Sequence, residues 1–173
     1  MNDLGNTVLK GMTDERVDEI LSTPEGKWVF DTLVKYHPWE TFVTLTTSEV
    51  ATPAQMKKII FKTFGLRRST KGCKYFWVME PFKHRGGVHA HLLVKDMPPY
   101  PSWKRTFDWY FKTKGYGRFQ SLPIRGNRLF TVAAYCTKYC LKEMQDGEFG
   151  FSTTITGEHH HDSGKRISGP KKT

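Results

Sequence analysis

The sequence predicts a mixed α+β domain, and three observations carry that reading. Two strand-like runs, Lys74 to Glu80 and Val88 to Lys95, are joined by a short Gly-containing loop, which predicts an antiparallel hairpin. Segments with apolar residues at helical spacing surround that hairpin. With 173 residues, 38% of them hydrophobic and 25% charged, the chain is long enough to bury the core of one soluble domain.

Each element has a local reason. Thr13-Asp14-Glu15 ahead of Val17, Ile20 and Leu21 reads as a capped helix start. Pro24 interrupts, and a second helix follows from Glu25 to Tyr36, with Trp28, Val29, Leu33 and Tyr36 as its inner side. Thr41 to Thr47 is rich in β-branched residues and predicts a strand, with Phe42, Thr44 and Thr46 on one face. Pro53 opens an amphipathic helix that runs to about Phe64. Leu66 to Gly72 is a basic loop. After the hairpin, Pro98-Pro99-Tyr100-Pro101 stops the chain, and Ser102 to Phe111 forms a helix. Gly115 to Ile124 reads as a strand, and Arg125 to Arg128 as a basic turn. Phe149 to Ile155 offers an edge strand. The domain is expected to span residues 1–156, with 157–173 as a flexible basic tail containing His159, His160 and His161.

The formal net charge is +10, which points to a polyanion, either nucleic acid or an anionic membrane surface. No apolar run reaches the roughly 20 residues that span a bilayer, and residues 1–12 do not read as a leader. A cytoplasmic protein with no membrane partner is expected, in the host cell if a virus or plasmid encodes it. Cys73, Cys136 and Cys140 lack a metal-ligand pattern and read as free thiols. No phosphate-binding G-x-x-x-x-G-K-[ST] loop and no G-x-S-x-G elbow is present.

Two stretches carry chemistry. On a strand, His89 and His91 point to one face, about 6–7 Å apart at Cα, so both imidazoles can reach one ion. Glu80 ends the preceding strand and can join them across the hairpin. Two imidazoles and one carboxylate suit a divalent ion such as Mg²⁺ or Mn²⁺. In Ala134 to Lys142, helical spacing places Tyr135, Lys138, Tyr139 and Lys142 on one stripe, beside an apolar stripe of Leu129, Val132, Ala133, Cys136 and Cys140. A cation that polarises a phosphoryl oxygen, lysines that favour phenolate, and a tyrosine nucleophile together suggest transesterification on DNA. The bland alternative is an amphipathic helix beside ordinary sheet histidines.

The chain resembles the HUH endonucleases, and among them the two-tyrosine rolling-circle replication initiators of microvirus-type phages and some plasmids. Phe42 to Thr46 is similar to the family's first, structural motif. Gly87-Val88-His89-Ala90-His91 is similar to its metal motif, and Tyr135 to Lys142 to its nucleophile motif. The resemblance covers roughly residues 40–145. It implies a central antiparallel β-sheet flanked by helices in a ferredoxin-like arrangement. It implies that His89, His91 and Glu80 hold the metal, and that Tyr135 and Tyr139 are nucleophiles served by Lys138 and Lys142.

The expected activity is metal-dependent nicking and rejoining of single-stranded DNA at a replication origin, through a 5′-phosphotyrosine. Arg67, Arg68, Lys83, Arg85, Arg118, Arg125 and Arg128 are the cations expected to meet the nucleic acid. Larger relatives often carry a helicase domain, so a separate helicase and a host polymerase are expected partners. The alternatives are a two-tyrosine transposase and a non-catalytic single-stranded DNA-binding module.

Overall fold

The computed structural model describes residues 12–36, 38–65, 72–82, 84, 86–97, 102–126, 128–143 and 149–152. The 157–173 tail, the expected boundary before it, and Arg67, Arg68, Lys83 and Arg85 lie outside the described residues.

The chain order is α1 (Asp14–Leu21), α2 (Pro24–Lys35), β1 (Thr41–Thr47), α3 (Pro53–Ile60), β2 (Lys74–Pro81), β3 (Val88–Lys95), α4 (Ser102–Thr113), β4 (Gly117–Pro123), α5 (Arg128–Glu143) and β5 (Phe149–Phe151). Helix starts follow the caps in the sequence. The Thr23 hydroxyl accepts from Gly26 N at 3.1 Å, with Pro24 in the first turn. Thr52 and Gln55 close a capping box, at 3.3 Å and 2.8 Å. Past Ile60 the chain widens into a π-helical turn, Phe61–Gly65, where a continuous helix to Phe64 is expected from the spacing. Phe64 is still buried there, against Tyr75 and Phe107.

The described strands form one sheet of order β4-β1-β3-β2-β5, and every pairing is antiparallel. α3 leads from β1 to β2 with β3 between them. α4 leads from β3 to β4 with β1 between them. Two such split β-α-β units make a ferredoxin-like sheet, here extended by β5.

Strand alternation sorts side chains onto two faces. Val43, Leu45, Trp77, Leu92 and Val94 meet Met56, Ile60, Phe107 and Phe111 of α3 and α4. Phe42, Phe76, Val78 and Leu93 meet α2 and α5 on the other face, through Val29, Leu33, Val132, Cys136 and Cys140. Burying each side chain of Leu or Phe size contributes about 1.5–3 kcal/mol, so both layers hold the sheet. On α2 the buried side is Val29, Phe30 and Leu33, whereas Trp28 and Tyr36 stay half-buried at its flank. The Trp39 indole donates to Leu33 O at 2.7 Å and ties the end of α2 to the start of β1. The three cysteines are free and buried, as expected.

Candidate active site

The hairpin register places Glu80 opposite His89 and Val78 opposite His91, and β1 brings Thr44 opposite His91 from the other side. Residues directly opposite in an antiparallel pair share a face, so Thr44, Glu80, His89 and His91 all point toward α5. α5 crosses that face with its apolar stripe buried, which carries Tyr135 and Tyr139 down onto the histidines. The Tyr135 ring stands edge-on to both Phe42 and His91, with centroids 5.8 Å and 5.1 Å away.

One carboxylate oxygen is the hub. Glu80 Oε2 lies 2.9 Å from His91 Nε2, 3.2 Å from His89 Nε2 and 3.1 Å from the Tyr135 hydroxyl. The Tyr135 hydroxyl is also 3.3 Å from His91 Nε2. One ligand atom each from Glu80, His89 and His91 falls within 4.8 Å of the others. Behind His91, the Thr44 hydroxyl sits 3.1 Å from Nδ1. A hydroxyl can donate or accept, so Thr44 can hold either imidazole tautomer. With the proton on Nδ1, Thr44 accepts it and Nε2 keeps its lone pair for an ion.

The groups perturb one another strongly. Burial raises the Glu80 carboxyl, but hydrogen bonds with His89, His91 and Tyr139 outweigh it and hold the group well below the usual carboxylate range. Burial holds the His91 imidazole below its ordinary value, against the pull of Glu80. Burial, reinforced by the Glu80 charge, pushes the Tyr135 phenol far above its ordinary value, and burial with a hydrogen bond to Glu80 raises Tyr139 as well. Without a cation, both phenols are therefore fully protonated at neutral pH.

The donor set fits a divalent ion. Two borderline nitrogens and one hard oxygen converge on one point, and with the rings neutral the cluster carries one uncompensated negative charge. His91, the more deeply buried histidine, is braced from behind by Thr44, as metal-ligating histidines usually are.

These residues line a cleft of ≈ 350 Å³, together with Met12, Thr46, Gln120 and Lys138. Lys138 Nζ lies 4.9 Å from the Tyr139 ring centroid, and the two tyrosine rings are 4.9 Å apart. α5 extends through Lys142, whose side chain is outside the described residues. Arg118 is exposed on β4 opposite Thr46, on the face of the cleft. Arg125 is exposed in the turn after β4, and Arg128 Nη1 donates to Pro123 O at 3.2 Å. Neither of these two lines the cleft.

Residues 40–144, more than half of the chain, match the family model of the replication-associated protein ORF2. The chain belongs to that family. No curated protein and no solved structure matches it. The matched span of this replication-associated protein contains the whole hub: Thr44, Glu80, His89, His91, Tyr135 and Tyr139. Met12, which also lines the cleft, lies before the matched span. Among the described residues, no helix is long and apolar enough to cross a membrane.

Thr44, Gln120 and Met12 are the cleft residues that sequence reasoning missed. Alternation put Thr44 on a face with Phe42 and Thr46, but only the β1–β3 register shows that His91 is its neighbour. Met12 has no pattern signal at all.

Proposed function

We propose that this replication-associated protein starts rolling-circle replication by cutting and rejoining single-stranded DNA at an origin through a tyrosine-linked 5′ phosphate. The observation that carries the reading is the Tyr135 hydroxyl, 3.1 Å from Glu80 Oε2 and 3.3 Å from His91 Nε2. A tyrosine aimed at a candidate metal centre from a separate helix is what strand transfer by a phenol needs.

Glu80, His89 and His91 would hold Mg²⁺ or Mn²⁺, which when bound polarises a phosphoryl oxygen and favours phenolate nearby. The cleft residues do the rest. Tyr135 or Tyr139 attacks the scissile phosphorus. A tyrosine O–P bond forms as the P–O3′ bond breaks. The phenol loses its proton, and the departing 3′ oxygen takes one up. Lys138 places an ammonium group in the cleft, where it offsets charge on the pentavalent transition state. Thr44 fixes the His91 ring. The exchange of one ester for another conserves phosphodiester energy, so the free 3′ hydroxyl can prime a polymerase and later close a circle.

Two phenols on one helical face, with rings 4.9 Å apart, suit a cycle of two cuts. The second tyrosine cleaves the regenerated origin, and the freed 3′ hydroxyl attacks the first phosphotyrosine. Strand separation by another protein, a helicase, belongs to the same reading.

The test is incubation with single-stranded replicon DNA and Mn²⁺, followed by denaturing electrophoresis. The account expects a DNA-linked protein band that chelation prevents. Salt-sensitive binding without any linked band would leave a DNA-binding module instead.

A further inference from the structure

A second cleft, of ≈ 530 Å³, opens at the same end of the sheet but on the face covered by α3 and α4. Lys58, Lys62 and Lys114 line it, and all three are exposed. Among the described residues none of them has an ion-pair partner. Glu49 is the one carboxylate in its wall. Three like charges around one concavity form a focused positive field, which attracts a polyanion.

The same wall carries Tyr116, held by ring contacts with Tyr110 and Phe111 at 5.8 Å and 5.6 Å. Beside it stands Val50, which is 57% exposed. A groove of cations with a fixed aromatic ring is the chemistry of single-strand binding: lysines follow the phosphates and a base stacks on the ring.

The two clefts are joined through the end of β1. Thr46 lines the catalytic cleft and Thr47 the second one. The Tyr116 rim is clamped to this strand end, because Gly117 packs so closely that a Cβ would lie 2.3 Å from Thr46 O. The loop after β1 is bonded to the strand that carries the histidines, by Val88 N to Ala51 O at 3.1 Å. The walls of the second cleft are therefore tied to the metal centre through backbone.

We propose that this cleft is a second contact site for single-stranded DNA, which holds the backbone of the strand whose scissile phosphate occupies the catalytic cleft. The proposal rests on the DNA-cleaving reading above. The strand would pass around the end of β1, with Lys58, Lys62 and Lys114 on its phosphates and Tyr116 under a base.

The test is the salt dependence of binding to oligothymidylate of about 30 nucleotides, longer than the single-strand sites of such domains. The full-length protein is compared with a Lys58→Ala, Lys62→Ala, Lys114→Ala variant. Three lost phosphate contacts should flatten the slope of log affinity against log salt by about 2. Between 50 and 200 mM salt, the unaltered protein should then lose roughly twentyfold more affinity than the variant. A control with Lys27→Ala, Lys35→Ala and Arg105→Ala, exposed cations outside both clefts, should keep the original slope. Tyr116→Leu should weaken single-strand binding about fivefold or more. An unchanged slope in the lysine variant overturns the proposal. So does an equal flattening in the control, or an equal loss on a duplex of the same length. Undiminished affinity in Tyr116→Leu overturns the stacking contact. Formation of the DNA-linked band by the unaltered protein is read separately, so failure of the second site and failure of the cleavage reading give different results.

Discussion

The Tyr135 hydroxyl donates to Glu80 Oε2 across 3.1 Å, although 55 residues separate the two in sequence. That bond joins α5 to the end of strand β2 and sets a nucleophile against a metal-ligand candidate. It also makes Tyr135 and Tyr139 chemically unequal, since the Tyr135 hydroxyl reaches both Glu80 and His91 and is the more strongly raised of the two phenols.

Single tyrosine changes should therefore be partial and the double change complete. Tyr135→Phe and Tyr139→Phe are each expected to retain some nicking of single-stranded origin DNA. The double variant should show none above background. Nicking by the double variant at the unaltered rate would remove both phenols from the chemistry.

Thr44 acts through His91 and is a positioning residue. Thr44→Val keeps the shape of the side chain and leaves His91 Nδ1 without its partner in a buried setting. Loss of such bracing typically weakens metal binding about 10–100-fold. Mn²⁺ titration monitored by calorimetry would show it. Unaltered Mn²⁺ affinity would mean that His91 needs no brace.

Acid should destabilise the metal-free protein in two stages. The folded value of His91 is depressed below 6.5, so the unfolded chain binds a proton that the native ring refuses as pH falls below that point. Glu80 is depressed below 4.5, so its contribution is present above 4.5 and is lost as pH falls toward the folded value. Both effects lower stability with falling pH, His91 first and Glu80 second. Urea midpoints measured from neutral to acid pH should decline in that order. Glu80→Gln should abolish the second stage, and a decline identical to the unaltered protein's would refute the assignment.

The helices before the matched family span are part of the same core. Leu33 on α2 is fully buried against α5. Leu33→Ala should cost about 2–5 kcal/mol in urea unfolding. A loss well below ~1 kcal/mol would mean that α2 is an appendage rather than a wall.

Much of this is legible in the chain because the relevant periods are short. A period of two puts His89 and His91 on one face, and a helical period puts Tyr135 and Tyr139 on one stripe. Glu80 can be paired with them because a hairpin is a local structure. The pairing of β1 between β3 and β4 is not local, and no spacing in the sequence encodes it. Thr44 behind His91 and Gln120 in the cleft wall depend on that pairing. The cleft of Lys58, Lys62 and Lys114 draws on α3 and the end of α4, which only the folded sheet brings together. On α2 the spacing favours Trp28 as core because it is large and apolar, yet Trp28 sits at the rim while Phe30 goes in.

The most direct measurement is to digest the DNA-linked protein with protease and nuclease and locate the residual nucleotide by mass spectrometry. The account predicts a 5′-phosphate ester on the phenol of Tyr135 or Tyr139. A nucleotide on any other residue, or a cleaved strand with no nucleotide on the protein, would contradict it.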